Sequence, residues 1–595
     1  MLSPLDIERR KSQISSRELA YFLHQSKSNV EKLERLEKLL VQDPLLNHEK
    51  MYYMTRGEQY KRATQMARQA VLIAHRNNLD DQDTALLHLV LQGFTDEQQS
   101  RWMEMAKQWR MVGCYVQTEL GHGSNVRGLE TTASYIPADD EFEIHSPTVT
   151  SMKWWPGALA RTANFGVVYA RLLLGGKDYG VHNFMVQLRD LETHDVMPGV
   201  TLGDIGPKIG FNNVDNGYCA FNRVRIPRSN MGMRFATVTS EGKYTKNVGI
   251  PKEVIYFTML QTRMVYVRSS GLALAKACTI SIRYSGVRRQ GYDARNPEST
   301  EEVCVLDYQT QQYRLFPLLA AAYAIILSGN HVDTIASQLA DQVKNGDLSM
   351  LVEGHTISCG LKVVASEMAS NGIETCRRAC GGHGYLLSSG LPVLLGDVVQ
   401  MVTAEGENFV LCQQTARALL KIHGQYQSGG QLPTAMQFIA QIDTLCRSQP
   451  RSKDQWLELD TVAEQFAVRA APSEIRLVLQ LLCKLFALTQ LDATASQFIE
   501  SGCIFSSDMT TIRASMVELL DLIRPHAVTL VDGFNFSDHA LNSTLGRYDG
   551  NVYEALYKSA QHDPFNPSSD KVALHELLRP IREEIACRST VKSRL

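Results

Sequence analysis

The chain has 595 residues, 61 basic and 63 acidic side chains, and a formal net charge of −2. At roughly 150 residues per domain the length allows about four domains, and the charge balance excludes a nucleic-acid binder working through a bulk positive field or a strongly acidic disordered chain. Hydrophobic residues make up 44%, enough for a large core. The 12 cysteines form no CxxC pair and no paired zinc-type spacing, so they read as buried reduced thiols and no metal is expected.

Met1 to Arg10 (MLSPLDIERR) is charged within a few residues and lacks the apolar core of a secretory signal. Residues 1–110 read as an N-terminal α-helical domain. Val30 to Leu40 places apolar side chains at helical spacing, and Gly57 to Ile73 continues with few breakers. Residues 111–235 change character. Glycine, proline and β-branched residues surround short alternating runs such as Phe142 to His145 and Gly166 to Arg171, predicting an all-β domain of barrel type. Long helical segments return over 252–424, among them Met264 to Tyr284 and Leu315 to Ser328, as in a four-helix bundle. The most apolar run, Phe316 to Leu327, is well short of the roughly 20 residues needed to span a bilayer, so no membrane span is expected. A polar link at Gly424 to Gly430 leads to a further helical domain over 430–595. Ser593-Arg594-Leu595 is a conservative variant of the Ser-Lys-Leu peroxisomal address, which predicts a peroxisomal matrix protein read by the import receptor.

Four blocks carry candidate chemistry. In Cys114 to Thr132 a short apolar strand ends in Gln117-Thr118-Glu119 and a glycine-rich loop follows; its backbone can approach a ligand closely while Thr118 and Ser124 offer hydroxyls. Lys153 to Gly157 (KWWPG) pairs two tryptophans, a flat wall for an aromatic cofactor, with a glycine that leaves room at the backbone. Arg288-Arg289-Gln290 followed by Asp307-Tyr308-Gln309 offers a guanidinium and an amide suited to a pyrophosphate and adenosine. Finally, CGGHGY (Cys380 to Tyr385) precedes Glu405-Gly406-Glu407-Asn408, just ahead of the apolar run Phe409 to Leu420. A carboxylate on an irregular segment beside a helix start can project into a cleft as a base. Glu405 and Glu407 would diverge by about 200° on a helix, so only one of them can be that base; a negative helix N-terminus complementing the dipole is the other use of such acids.

Taken in order, QTELGHGSNVRGLETTA, SPTVTSMKWWPG, GDIGPKIGFNNVDNGY, CTISIRYSGVRRQ, DYQTQQYRLFPLLA, CGGHGY, EGENFV, DLIRPHAVTLVDGF and LGRYDGNVYEAL resemble a peroxisomal acyl-coenzyme A oxidase, within the wider acyl-coenzyme A dehydrogenase superfamily. The resemblance implies a mostly α fold with a β-barrel domain and an extra C-terminal α-helical domain. It also implies FAD bound between barrel and bundle, with Thr118 and Gly157 at the flavin. Arg288, Tyr308 and Gln309 would reach the adenosine-diphosphate half across a dimer interface, in a homodimer or a heterodimer with a paralogue. Glu405 would be the base that removes the α-proton of an acyl thioester, giving a trans-2-enoyl-coenzyme A, with O2 reduced to hydrogen peroxide. Its backbone N–H would help polarise the thioester carbonyl. Ser124 and Arg263 match positions that touch the coenzyme A portion. The alternatives are a non-catalytic subunit of an oxidase heterodimer and an electron-transferring dehydrogenase. The chain departs from the pattern in a shortening within Asp81 to Gln98, a longer one near Ala471, Gly291 in place of the usual phenylalanine, and Ala158 to Arg161 after KWWPG.

Overall fold

The computed structural model describes residues 2–49, 51–77, 91, 93–247, 255–293, 298–344, 347, 350–441, 471–500, 502, 504–564 and 573–583. Among the described residues, five α-helices open the chain: Pro4–Arg10, Ser16–Leu23, Lys27–Val41, Arg56–Arg76 and Asp96–Lys107. Each begins at a serine or threonine (Ser3, Ser15, Ser26, Thr55, Thr95) whose hydroxyl accepts from the backbone N–H three residues on. Such caps satisfy a donor that the helix itself cannot, at about 1 kcal/mol each.

Among the described residues, eleven strands follow: β1 (Gly113–Val116), β2 (Thr132–Ile136), β3 (Glu141–His145), β4 (Lys153–Gly157), β5 (Phe165–Leu174), β6 (Lys177–Gln187), β7 (Val200–Asp204), β8 (Asn216–Phe221), β9 (Val224–Pro227), β10 (Ala236–Val238) and β11 (Tyr244–Lys246). One sheet runs β1-β5-β2-β3-β9, with β6 antiparallel on the other edge of β5; a second runs β4-β8-β7, and β10 pairs with β11. β2, β3 and β8 alternate buried and half-buried residues, the period-2 pattern of a sheet with one face inward. Val116, Phe142, Val168 and Phe184 from the first sheet meet Val200, Cys219 and Phe221 from the second in one core.

The bundle consists of the helices Ile255–Val287, Gln309–Lys344, Leu351–Ala379 and Asn408–Gln427, with the shorter Leu391–Val398 helix inserted before the last. Its core is continuous with the N-terminal helices through Leu5, Leu19 and Leu23, and with the C-terminal helices through Leu482, Ile512, Leu520 and Val528. Arg283, almost fully buried, clamps these three regions. Its Nε and Nη2 donate to Asp532 Oδ1 at 3.0 and 2.9 Å, and Arg9 Nε donates to Asp532 Oδ2 at 2.7 Å. Gln309–Gln342 is long and apolar enough to cross a membrane by length and composition, which the dozen-residue run alone did not suggest. However, 61% of its apolar window is buried inside the protein, as befits a core helix. The shortening within Asp81 to Gln98 lies largely outside the described residues, as does Ser593-Arg594-Leu595. At the second, Ala471 is buried and leads directly into the Ser473–Ala493 helix.

Candidate active site

The Leu391–Val398 helix and the short helical turn after it lead into an irregular segment, and the next helix begins at Asn408. Between them Glu405 takes φ +56° and Gly406 φ +104°. The left-handed conformation costs a non-glycine residue about 1–2 kcal/mol, so Glu405 must be held there. At Gly406 a Cβ would also fall 2.8 Å from Leu411 Cδ2 and 3.3 Å from Arg263 Nη2, so glycine is required on both counts. The restraints come from beneath. Arg263 Nε donates to the Glu405 carbonyl at 2.9 Å, and Lys362 Nζ donates to the Gly406 carbonyl and Asn408 Oδ1, both at 2.8 Å. Asn408 Nδ2 donates to Ser366 Oγ at 3.0 Å and Glu367 Oε1 at 2.8 Å. Arg263, Lys362, Ser366 and Asn408 are all buried.

The two acids of this segment have different fates. Glu407 is the N-cap of the Asn408–Gln427 helix and accepts from Val410 N at 3.2 Å. Glu405 points elsewhere, and burial pushes its carboxyl above the usual range against the pull of Arg263 and Lys362. Its charge is felt by Tyr115 on β1, whose phenol is raised well above its ordinary value by burial first, then by Tyr169 and the Glu405 carboxylate. It is also felt by Tyr266, raised first by burial. The Glu405 carboxylate thus bears on Tyr115 of β1 and on Tyr266 of the first bundle helix alike.

That edge is rigidly built. Thr118, two residues past β1, accepts at its carbonyl from Trp154 N at 3.0 Å, and this joins β1 to β4. Behind it lies a wholly buried ion pair. Lys153 Nζ donates to Glu119 Oε1 at 3.0 Å, to the Gln117 carbonyl at 3.1 Å and to the Tyr169 carbonyl at 2.7 Å. Burial alone would raise the Glu119 carboxyl, but Lys153, Thr131 and the Glu130 N–H outweigh it and hold it below the usual range. Burial pulls Lys153 down to about 8. Glu119, His122 and Glu130 bring ligand atoms within 4.8 Å of one another. Both Glu119 oxygens, however, are already taken by Lys153, Thr131 and backbone N–H groups. Gly157 is exposed, and a Cβ there would meet nothing nearer than Val214 Cγ1 at 4.0 Å. Trp155 beside it is 54% exposed, whereas Trp154 stacks on Tyr218 with centroids 5.7 Å apart. The segment Ala158 to Ala163 is pinned by two buried side chains that the sequence did not single out. Arg189 donates to the Leu159, Ala160 and Ala163 carbonyls, and Asp215 accepts from Arg161 N and Thr162 N.

Barrel and bundle dock through the loop ahead of β8. Phe211 N donates to Asp397 Oδ1 at 2.8 Å, and Gly210 approaches Gly396 so closely that a Cβ would lie 2.4 Å from its carbonyl. Thr118, just past β1, and Gly157, on β4, stand on joined strands, and Glu405 stands in the turn between two bundle helices. Ser124 lies exposed on the loop after Glu119, and Arg263 sits behind the Glu405 turn with Nη1 also donating to Cys359 Sγ at 3.4 Å. Arg288, Tyr308 and Gln309 form a separate edge. Arg288 Nη2 donates to Gln290 Oε1 at 2.9 Å, Tyr308 Oη donates to the Gln290 carbonyl at 2.8 Å, and Tyr308 and Gln309 are exposed. Gly291 has φ +75°, and a Cβ there would lie 2.7 Å from Tyr308 Oη. Glycine suits this position on both counts.

Comparison with known proteins agrees with this architecture along the whole chain. The family profiles described as acyl-coenzyme A oxidase N-terminal, acyl-CoA oxidase C-alpha1 domain, and acyl-CoA oxidase match residues 15–94, 256–420 and 407–583. The chain is 36% identical to mouse (Mus musculus) peroxisomal acyl-coenzyme A oxidase 1, with 97% of this chain and 99% of the relative covered. That alignment runs over 660 positions for a chain of 595 residues, so the relative has stretches that are missing here. An acyl-CoA oxidase from tomato (Lycopersicon esculentum) superposes with a TM-score of 0.92 at 36% identity, covering 98% of this chain and 100% of that one. Acyl-CoA oxidase-2 of Caenorhabditis elegans, solved with FAD, ascaroside-CoA and ATP, gives 0.87 at 34% identity and 98% coverage of both chains. With fold and sequence matched from the first helices to the last, the chain belongs to the acyl-CoA oxidase family.

Proposed function

We propose that Glu405 is the base of an FAD-dependent oxidation of acyl-coenzyme A to trans-2-enoyl-coenzyme A, with O2 reduced to hydrogen peroxide. The observation that carries the assignment is the division of labour in the turn: Glu407 is consumed as a helix cap, whereas Glu405 is half-buried and left-handed, with its charge bearing on Tyr115 and Tyr266. Its raised pKa brings it nearer the pH at which it must alternately hold and release a proton. The enzyme is an acyl-CoA oxidase of the peroxisome, and its cofactor is FAD.

The residues present fit that cofactor. Thr118 offers a neutral hydroxyl, Trp155 an exposed ring, and Gly157 an open strand edge on the same wall. Arg288, Tyr308 and Gln309 supply the charge and amide suited to a pyrophosphate and adenosine. When bound, FAD accepts the substrate's β-hydrogen as hydride and passes the electrons to oxygen. The chain's own part is to seat the thioester so that Glu405 takes the α-proton, while the Glu405 backbone N–H donates to the thioester oxygen as negative charge develops there. Ser124, exposed on its loop, would meet the coenzyme A portion; Arg263, proposed for the same portion, is buried behind the turn with its guanidinium on the Glu405 carbonyl and Cys359. Two copies pair so that the Arg288–Gln309 edge of one reaches the flavin site of the other. Tyr385 and Phe409, each 79% exposed, offer apolar area for that pairing. Ser593-Arg594-Leu595 serves as the import signal.

The test is direct. The purified protein should be yellow and should generate peroxide from palmitoyl-coenzyme A in air. Bleaching without peroxide would make it a dehydrogenase, and a colourless, inert protein would make it a degenerate subunit.

A further inference from the structure

We propose that Lys362 is a positioning residue for proton abstraction. Its buried ammonium laces the Glu405 turn to the Leu351–Ala379 helix and places a positive charge behind the carboxyl. The inference rests on Glu405 being the base.

Lys362 is fully buried, and an ammonium out of water is costly unless it is paired or fully hydrogen-bonded. Its acceptors are the Gly406 carbonyl and Asn408 Oδ1, both at 2.8 Å, so both contacts fall on the segment immediately after Glu405. Asn408 is held at its other end by Ser366 and Glu367, one turn further along the Lys362 helix. Arg263, from the Ile255–Val287 helix, takes the carbonyl of Glu405 itself. Residues 405, 406 and 408 are therefore gripped in succession, and this keeps Glu405 at φ +56°. A lysine serving only to fill the helix interface would have no reason to direct its charge at that segment.

The charged and titratable groups around Lys362 are Arg263 from the first bundle helix, Glu405 and Glu407 from the turn, and Cys359 and Glu367 on its own helix. Tyr115 and Tyr266 face Glu405 from the barrel and the first helix. Burial and Arg263 pull Lys362 down to about 8 while the three acids oppose them, so it is charged at neutral pH and below. In turn, Lys362 and Arg263 work against the burial that raises Glu405. Removing the lysine charge therefore raises the pKa of Glu405 further and moves the acid limb of kcat/KM to higher pH.

The experiment compares the full-length holoenzyme with Lys362→Met, Lys362→Arg and Glu405→Gln. The readouts are flavin per protein from visible absorbance, and kcat and KM against pH with palmitoyl-coenzyme A in air. Lys362→Met should keep its flavin and lose about tenfold to a hundredfold in kcat with little change in KM, as expected for a misplaced reacting group. Its acid limb should move to higher pH, and Lys362→Arg should return the limb and most of the rate. The limb is independent of how much enzyme is active, so it reads the role even if part of a preparation misfolds. A Lys362→Met enzyme with wild-type kcat overturns the proposal, as does one whose loss follows its flavin content with the acid limb unmoved. Glu405→Gln separates the two readings. If it turns over normally, the assignment of the base fails; if it is inert and the Lys362→Met limb stays in place, the role of Lys362 alone fails.

Discussion

The turn that carries Glu405 and the edge formed by Arg288, Tyr308 and Gln309 both bring polar groups to the proposed flavin and substrate region, yet they are built oppositely. Around Glu405 the supporting polar groups are buried and satisfied within the chain. Arg263, Lys362 and Asn408 each have partners at 2.8–3.0 Å. At the other edge, Tyr308 and Gln309 are exposed, and the side-chain support includes a pair of hydrogen bonds to Gln290 and the contact of Arg288 with Tyr553. A group that must change protonation needs a fixed environment, because low dielectric magnifies every charge near it. A group that only grips a ligand can be left open until the ligand or a second subunit covers it.

Removing part of the satisfied scaffold should therefore cost far more than editing the open edge. Lys153→Met strands the Glu119 carboxylate inside the barrel wall and should cost about 3–5 kcal/mol, read by guanidinium unfolding. The double variant Glu119→Gln/Lys153→Met should recover much of that loss. The catalytic rate gives the next effect. Because Glu405 must be ionised to accept a proton and its pKa is raised, kcat/KM should fall about tenfold per pH unit below a limb lying above the ordinary glutamate value. Glu407→Ala removes only a helix cap, costing about 1 kcal/mol of stability and leaving the acid limb in place. Smallest of all, Tyr308→Phe deletes one hydrogen bond at the exposed edge. It should cost under about 1 kcal/mol and loosen flavin retention only slightly, measured by dilution and absorbance. If Tyr308→Phe proves as damaging as Lys153→Met, the contrast between buried, satisfied polar groups and the open edge is wrong.

Much of this was legible in residues. The alternation of Phe142 to His145 becomes β3 with its inward Phe142 and Ile144, and the apolar spacing of Val30 to Leu40 becomes the Lys27–Val41 helix. Family resemblance pointed to Glu405, but residue spacing alone left Glu405 and Glu407 open. Helical geometry says that two such side chains diverge, and not which one meets the cleft. The Glu407–Val410 cap and the left-handed φ at Glu405 divide their uses. The scaffold beneath was invisible for a physical reason: its pairs are remote in sequence. Lys153 finds Glu119 across two strands, Lys362 finds Gly406 across two helices, and Asp397 finds Phe211 across a domain boundary. The one local signal was a lysine set among apolar residues at Gly360 to Ala365, which ordinarily marks a side chain reaching out to water.

The central claim is that Glu405, and not Glu407, moves the proton, and paired glutamines test it most directly. Glu405→Gln and Glu407→Gln holoenzymes should both be yellow. Peroxide formation from palmitoyl-coenzyme A should fall by about a thousandfold or more in the first and stay within about threefold of wild type in the second. An active Glu405→Gln enzyme beside an inert, flavin-loaded Glu407→Gln enzyme would contradict the account.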